Sequence, residues 1–280
     1  MKKKKAICLL SGGLDSATCV YDAREKGFEV IGLTIDYGQR HDRELASASA
    51  FARLLKIQHY QVAFDMPWRG SSLTDKSVRM HDSKDVQHIS RHISKGGIPN
   101  TYVPARNSIF LSLAASCAEA SGAEAIFIGA NAVDYSGYPD CRPRYLKSFE
   151  DLIKKGTKAG AEGRKLKIYA PLLRLSKEQI ILKALKLGVP IEKTWSCYRG
   201  GTKPCGSCDS CLLREKGFKD AGKKDPLLES TPTSSSGSNF GFRPAPSRSS
   251  AYRLKLSMRA SARFGSATKS KTSHRKLISE

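Results

Sequence analysis

The stretch Ala6–Ser16, AICLLSGGLDS, passes from an apolar run to paired glycines and then straight to an acid and a hydroxyl. Lys5–Leu10 reads as a short buried strand, and Asp15–Gly27 as a helix closed by its glycine. A strand that feeds a helix through glycine gathers backbone N–H groups and the positive end of a helix around one point, which suits an anion. Ser11 and Ser16 can donate to phosphate oxygens, while Asp15 can hold Mg²⁺ or cap the helix. A tight turn followed by an N-cap is the plainer alternative. A Walker A loop is excluded, because the Gly-Lys-Ser/Thr ending is missing.

The alternation continues downstream. Phe28–Ile35 is rich in β-formers, and His41–Lys56 carries Leu45, Ala48, Phe51, Ala52 and Leu55 on one helical face. Ile57–Ala63 is a third strand candidate. Ser108–Ser121 reads as a helix with Phe110, Leu113, Ala114 and Cys117 in one stripe, followed by the strand-like EAIFIGA at 124–130. Ser176–Lys186 is a later helix, opened by a capping box from Ser176 to Gln179. Strands alternating with helices predict an α/β fold, a mainly parallel, Rossmann-like sheet with helices on both faces. Between Asp65 and Gly97 the periodicity lapses and a long loop is expected, its His81, His88 and His92 read as solvated rather than metal-bound.

The formal charge of +22 invites a nucleic-acid partner, but its distribution argues otherwise. Residues 231–280 hold ten Lys or Arg and one acid, so +9 of the total sits in a Ser-, Pro- and Gly-rich stretch with no core pattern. Three segments follow: a nucleotide-binding domain over 1–190, a cysteine-bearing segment over 191–225, and a disordered extension over 226–280. Nucleic acid is not expected on residues 1–225. No run of 18 apolar residues is present, and the apolar stretch after the basic start, Ala6–Leu10, is short for an export signal, so a cytoplasmic protein without a membrane span is expected.

Four of the eight cysteines, Cys197, Cys205, Cys208 and Cys211, crowd into fifteen residues as C-x7-C-x2-C-x2-C. Two overlapping C-x-x-C steps around Gly206 favour four thiolates on structural zinc, with an iron–sulfur cluster as the main rival. A redox dithiol accounts for two cysteines and leaves two over.

Other candidates lie where parallel strands end and present ligands. Tyr37, Gln39 and Arg40 follow the second strand, and Arg106 and Asn107 open the helix after VPA, where an arginine can pair with a phosphate or carboxylate. Asp134, Tyr135, Asp140 and Arg142 fall in a Gly- and Pro-containing loop after IFIGA. Each has a plainer reading as loop or helix-start surface. Cys141 reads as an unreactive loop cysteine.

SGGLDS after an apolar strand resembles the PP-loop of the ATP pyrophosphatase superfamily, which binds the pyrophosphate released when a substrate oxygen is adenylated. DYGQRHDRE at Asp36–Glu44, VPARN at Val103–Asn107, GANAVDYSGYPDCR at Gly129–Arg142 and TWSCY with the cysteines after it resemble the 7-cyano-7-deazaguanine synthase family, from about Lys5 to about Phe218. The resemblance implies an ATP-binding segment of Leu10, Ser11, Gly12, Gly13, Leu14, Asp15, Ser16, Ala17, Thr18, Cys19 and Val20, with Ser11, Asp15 and Ser16 closest to the chemistry. It implies one zinc per chain, Mg²⁺ with ATP, and a homodimer. One departure is Leu14, where many bacterial members have Gln; that position is expected to project from the helix start. The implied reaction joins 7-carboxy-7-deazaguanine and ammonia through adenylated acid and amide to the nitrile. In it an acid of the 134–140 loop could read a guanine-like base and a tyrosine could stack on that base. The rivals are a PP-loop enzyme that adenylates a tRNA base, which would want a reactive cysteine near the loop, and a zinc module that only binds nucleic acid.

Overall fold

The computed structural model describes residues 3–40, 42–80, 85–95, 97–131 and 138–229, without the side chains of residues 90 and 92–94. The first half runs β1 (Lys5–Leu9), α1 (Leu14–Glu25), β2 (Glu29–Asp36), α2 (Arg43–Leu55), β3 (Gln58–Ala63), α3 (Val86–Ser94), α4 (Arg106–Ser121) and β4 (Ala125–Phe127). The second half runs α5 (Pro143–Gly156), α6 (Lys158–Ala161), β5 (Lys167–Tyr169), α7 (Lys177–Lys186), α8 (Asp209–Asp220) and α9 (Pro226–Glu229).

All five strands are parallel, in the order β3-β2-β1-β4-β5. The expected fold class is met. β1 explains why its residues are apolar on both sides: Ile7 and Leu9 face one core, while Ala6, Cys8 and Leu10 face the other. The first core is completed by α4 and α5, through residues such as Leu111, Ala114, Leu146 and Phe149. The second is completed by α1, α2 and α7, through residues such as Val20, Phe51, Ile180 and Ile181.

The chain winds outward from β1 through β2 to β3, then returns to place β4 on the other side of β1. Strand order therefore reverses between β1 and β4, and ligands of such sheets bind at the carboxyl ends beside that point.

The capping box is present: Ser176 Oγ accepts from the Gln179 N–H at 3.2 Å, and Gln179 Oε1 accepts from the Ser176 N–H at 3.0 Å. Two expectations are corrected. The 65–97 stretch is not all loop, since α3 lies within it, with Val86, Ile89 and Ile93 at helical spacing. Leu14 does not project from the helix start but is buried at 3% exposure, because the first turn of α1 rolls its side chain into the second core. The first four residues of the expected extension form α9, and residues 230–280 lie outside the described residues. No helix among the described residues is long and apolar enough to cross a membrane.

Candidate active site and metal centre

β1 ends in the loop Leu10–Gly13, and the loop is wound so that its donors point inward. The Ser11 and Gly12 N–H groups both donate to Ser16 Oγ at 3.2 Å, and the Gly13 N–H donates to Ser11 Oγ at 3.3 Å. Such a concave row of N–H groups is an anion nest. Gly12 permits it with φ at +92°, a conformation that costs a side-chain-bearing residue dearly. Gly13 is the N-cap of α1 and supplies no side-chain cap, so the positive end of that helix opens into the cleft.

The sequence does not reveal what holds this loop in place. The Trp195 N–H donates to the Gly12 carbonyl at 3.0 Å. The Ser47 hydroxyl stands 2.8 Å from that carbonyl and 2.5 Å from the Lys193 carbonyl, sharing one proton between two acceptors. The cysteine-bearing segment is thus stitched to the loop.

A cleft of about 300 Å³ runs from the loop across the ends of β1, β2 and β4. Leu9, Leu33, Ile35 and Ile128 line it, with Arg106 among Tyr37, Phe110, Tyr138 and Tyr198. Arg106 donates to Tyr37 Oη at 3.3 Å, and its guanidinium carbon lies 5.8 Å from the Tyr37 ring centre and 6.0 Å from that of Phe110. Burial works against its charge, but Tyr37 and Tyr138 outweigh burial and hold it above the ordinary range. Ala105 just before it sits in the left-handed region at φ 52°, between Pro104 and the helix, an unusual conformation for a residue with a side chain.

Of the candidates read from the sequence, Leu10, Ser11, Gly13, Leu14, Asp15, Ser16, Tyr37, Gln39, Arg106 and Asn107 line the cleft. Ala17, Cys19 and Val20 do not, being packed in the second core, and Thr18 is buried with its hydroxyl on the Leu14 carbonyl at 2.8 Å. They shape α1 from behind. Arg40 is not brought to the cleft either: its Nη2 donates to the carbonyls of Asp75 (2.7 Å) and Val78 (2.6 Å), bracing the loop after β3. Arg142 is exposed at the N-cap of α5, where Pro143 fixes the helix start. Asp140 is buried and accepts the Asn107 N–H at 3.1 Å, so it anchors the start of α4. Asp134 and Tyr135 lie outside the described residues.

Three residues in the cleft were not legible as candidates. Lys177, on the first turn of α7, places Nζ 2.9 Å from both oxygens of Asp15, with the two side chains 20% and 27% exposed. Asp15, read from the sequence as a magnesium ligand or cap, therefore has a cationic partner. Glu44 lines the cleft from the first turn of α2, where burial pushes its carboxyl up to about 7. Arg214, buried on α8, forms a bidentate pair with Asp225, Nε–Oδ2 at 2.6 Å and Nη2–Oδ1 at 2.9 Å, and donates to Thr194 Oγ1 at 2.9 Å. Lys177 follows Ser176 of the capping box, and Glu44 ends the segment DYGQRHDRE, where neither position signals a charge turned into the cleft.

The four clustered cysteines converge. Their sulfurs all lie within 4.8 Å of one another, and Cys205 and Cys211 stand 3.9 Å apart. Sulfurs about 2.3 Å from a tetrahedral zinc sit about 3.8 Å apart, so the donor set fits that ion. The Cys205 N–H points at Cys197 Sγ (3.4 Å) and the Cys208 N–H at Cys205 Sγ (3.3 Å), contacts that favour thiolates. Cys208 and Cys211 beside it hold the Cys197 thiol below its ordinary range. Cys141 is the reverse case: burial, then Asp140, push its thiol up to about 11.

Residues 5–222 match the family model described as "Queuosine biosynthesis protein QueC". The chain is 51% identical over 233 residues to the 7-cyano-7-deazaguanine synthase of Synechococcus sp. (strain CC9605), covering 82% of this chain and 99% of that one. It is 51% identical over 224 residues to 7-cyano-7-deazaguanine synthase 2 of Desulfitobacterium hafniense (strain Y51), covering 80% of this chain and 92% of that one. Among solved structures, an NMN synthetase from Francisella tularensis is similar at 16% identity and a TM-score of 0.41, over 79% of each chain.

Proposed function

The chain belongs to the family of the queuosine biosynthesis protein QueC, and on that premise we propose that it converts 7-carboxy-7-deazaguanine, ammonia and ATP into 7-cyano-7-deazaguanine. The observation that carries this reading is the inward-facing loop Ser11–Ser16 at the strand-order reversal, opening onto an aromatic wall around Arg106.

A carboxylate is a poor electrophile because its leaving group would be oxide. Attack of a substrate carboxylate oxygen on the α-phosphorus of ATP converts that oxygen into part of a good leaving group. The N–H groups of Ser11, Gly12 and Gly13, with the N-terminus of α1, receive the departing pyrophosphate. Lys177, held at the loop by Asp15, adds positive charge there. Mg²⁺ accompanying ATP would neutralise the triphosphate, and Asp15 is the loop carboxylate nearest to that task. Tyr37 and Phe110, with rings 5.4 Å apart, offer flat surfaces to a fused heterocycle, and Arg106 offers donors to its carbonyl. The zinc on Cys197, Cys205, Cys208 and Cys211 is proposed as structural, since four thiolates leave no open position. A homodimer is the assembly proposed with it.

Both conversions, acid to amide and amide to nitrile, need an oxygen on the same substituent to be adenylated. One SGGLDS loop is present in the sequence, so the two adenylations use it in turn. AMP is expected at about two per nitrile, with the amide as a passing intermediate, and amide supplied directly should consume one ATP without ammonia. Ser16→Ala or Asp15→Ala should abolish AMP formation and leave the fold intact. An enzyme that halts at the amide under excess ATP would defeat the nitrile assignment. A sulfur-installing rival lacks its reactive cysteine, since Cys141 is buried with its thiol raised.

The segment 191–225 closes on the Arg214–Asp225 pair, whose side chains are 7% and 6% exposed. Removing one partner of a buried pair costs about 3–5 kcal/mol. Asp225→Ala is therefore expected to lower the thermal midpoint clearly, whereas a chain ending at Glu229 should keep full turnover. Loss of turnover in that shortened chain would bring residues 230–280 into the chemistry.

A further inference from the structure

Ammonia brings three N–H bonds and a nitrile nitrogen keeps none, so each stage of the proposed reaction releases protons at the substituent nitrogen. A group beside the loop has to take them. We propose that Glu44 is that group: it binds ammonia in the cleft and accepts the nitrogen's protons. The inference rests on the reaction proposed above.

Glu44 stands in the first turn of α2, which packs on the loop. Its Oε1 lies 3.8 Å from the place a Cβ on Gly13 would take, so the carboxylate reaches the mouth of the loop where the substrate oxygen must meet ATP. Among the described residues lining the cleft, the side-chain carboxylates are those of Asp15 and Glu44. Asp15 has both oxygens on Lys177. The Glu44 carboxylate makes no hydrogen bond or ion pair to another described residue.

The other ionisable groups of the cleft are unsuited. Lys177 and Arg106 are cationic donors, Cys141 is a thiol raised to about 11, and burial raises the hydroxyls of Tyr37, Tyr138 and Tyr198. The groups that act on Glu44 are Arg106, which stabilises its anion, and Cys197, Tyr37 and Tyr198. Burial, with Cys197 acting in the same direction, outweighs Arg106, and a carboxyl near 7 exchanges protons readily at neutral pH, where general bases work best.

In the first stage the Glu44 carboxylate accepts a hydrogen bond from ammonia. The nitrogen lone pair forms the C–N bond at the acyl carbon of the acyl-adenylate. One N–H proton passes to Glu44, and AMP departs with the electrons of the C–O bond. Glu44 then returns its proton to water. In the second stage the amide oxygen attacks ATP and pyrophosphate leaves. The nitrogen then loses its two protons in turn to the same carboxylate, the C≡N bond closes, and AMP departs with the oxygen.

The test separates adenylation from nitrogen chemistry in the full-length enzyme. ATP–pyrophosphate exchange driven by 7-carboxy-7-deazaguanine needs no ammonia, whereas amide formation does. Glu44→Gln should keep exchange within about twofold of the parent, which also shows that it folds, and lose about 10²–10⁴-fold in amide formation. Glu44→Asp should recover part of that loss. Unchanged amide formation in Glu44→Gln overturns the inference, and so does a parallel loss of exchange, which would place Glu44 in base recognition or the loop. Absence of acid-driven exchange in the parent enzyme would instead defeat the proposed reaction.

Discussion

A Cys208→Ser variant is expected to lose its metal, its solubility and its ATP-dependent turnover together. Cys208 is buried at the start of α8, and its sulfur is one of four within 4.8 Å. Residues 191–225 contain one α-helix of 12 residues and little apolar mass besides Ile191, Trp195, Leu213 and Phe218. Zinc binding to four such ligands supplies about 10–16 kcal/mol in small metal-folded units, as much as the about 5–15 kcal/mol that stabilises a whole domain. Loss of that term cannot be absorbed locally. It reaches the active site because Trp195 and Lys193 hold Gly12 and Ser47, while Ser196, Tyr198 and Arg214 form one wall of the cleft. Elemental analysis should find one zinc per chain, and a strong chelator should lower the thermal midpoint. Cys117→Ser, on half-buried α4 surface away from the cluster, should do neither. Iron with visible absorbance, or a fully stable protein without metal, would overturn the assignment.

The second large effect is expected at Gly12. A Cβ there would run into the Glu44 carbonyl, and would stand 2.6 Å from the Ala48 nitrogen and 2.8 Å from Ser47 Cβ, all at the start of α2. Backbone cannot yield as a flexible side chain can. Left-handed backbone costs a residue with a Cβ about 1–2 kcal/mol, and overpacking adds about 1–3 kcal/mol. Gly12→Ala should therefore lower the thermal midpoint by about 10 °C and abolish pyrophosphate release, since pushing α2 away displaces both the loop and Glu44. Gly13→Ala is the control. Its Cβ would meet its nearest neighbour, the Trp195 carbonyl, at 3.4 Å, and its φ is an ordinary −76°, so the fold should survive. A Gly12→Ala enzyme with normal stability and turnover would show that the close approach of loop and α2 is not required.

Much of this molecule is local and therefore legible. β1 and α1 are announced by a five-residue apolar run, two glycines and an acid, because a buried parallel strand must be apolar on both faces and an anion nest must have glycine. The capping box at Ser176 and Gln179 is a contact between residues three apart. The four cysteines lie so close in sequence that their meeting costs little chain entropy. The stretch 65–97 resisted reading because α3 is short and polar, and Leu14 was misplaced by one face of a helix whose core side is set by α7, far along the chain.

The sequence by itself determined the parallel sheet, the glycine loop after β1 and the four-cysteine cluster, since each is written in contiguous residues whose chemistry admits few arrangements. Only the tertiary structure decided which charges share the cleft. Lys177 meets Asp15 across 162 positions, Ser47 reaches Lys193 across 146, and Arg106 joins Tyr37 across 69. The same step withdrew Arg40 and Arg142 and brought in Glu44. An ionisable side chain takes its proton affinity from its burial and its partners, and both belong to the packing of distant segments rather than to its neighbours along the chain.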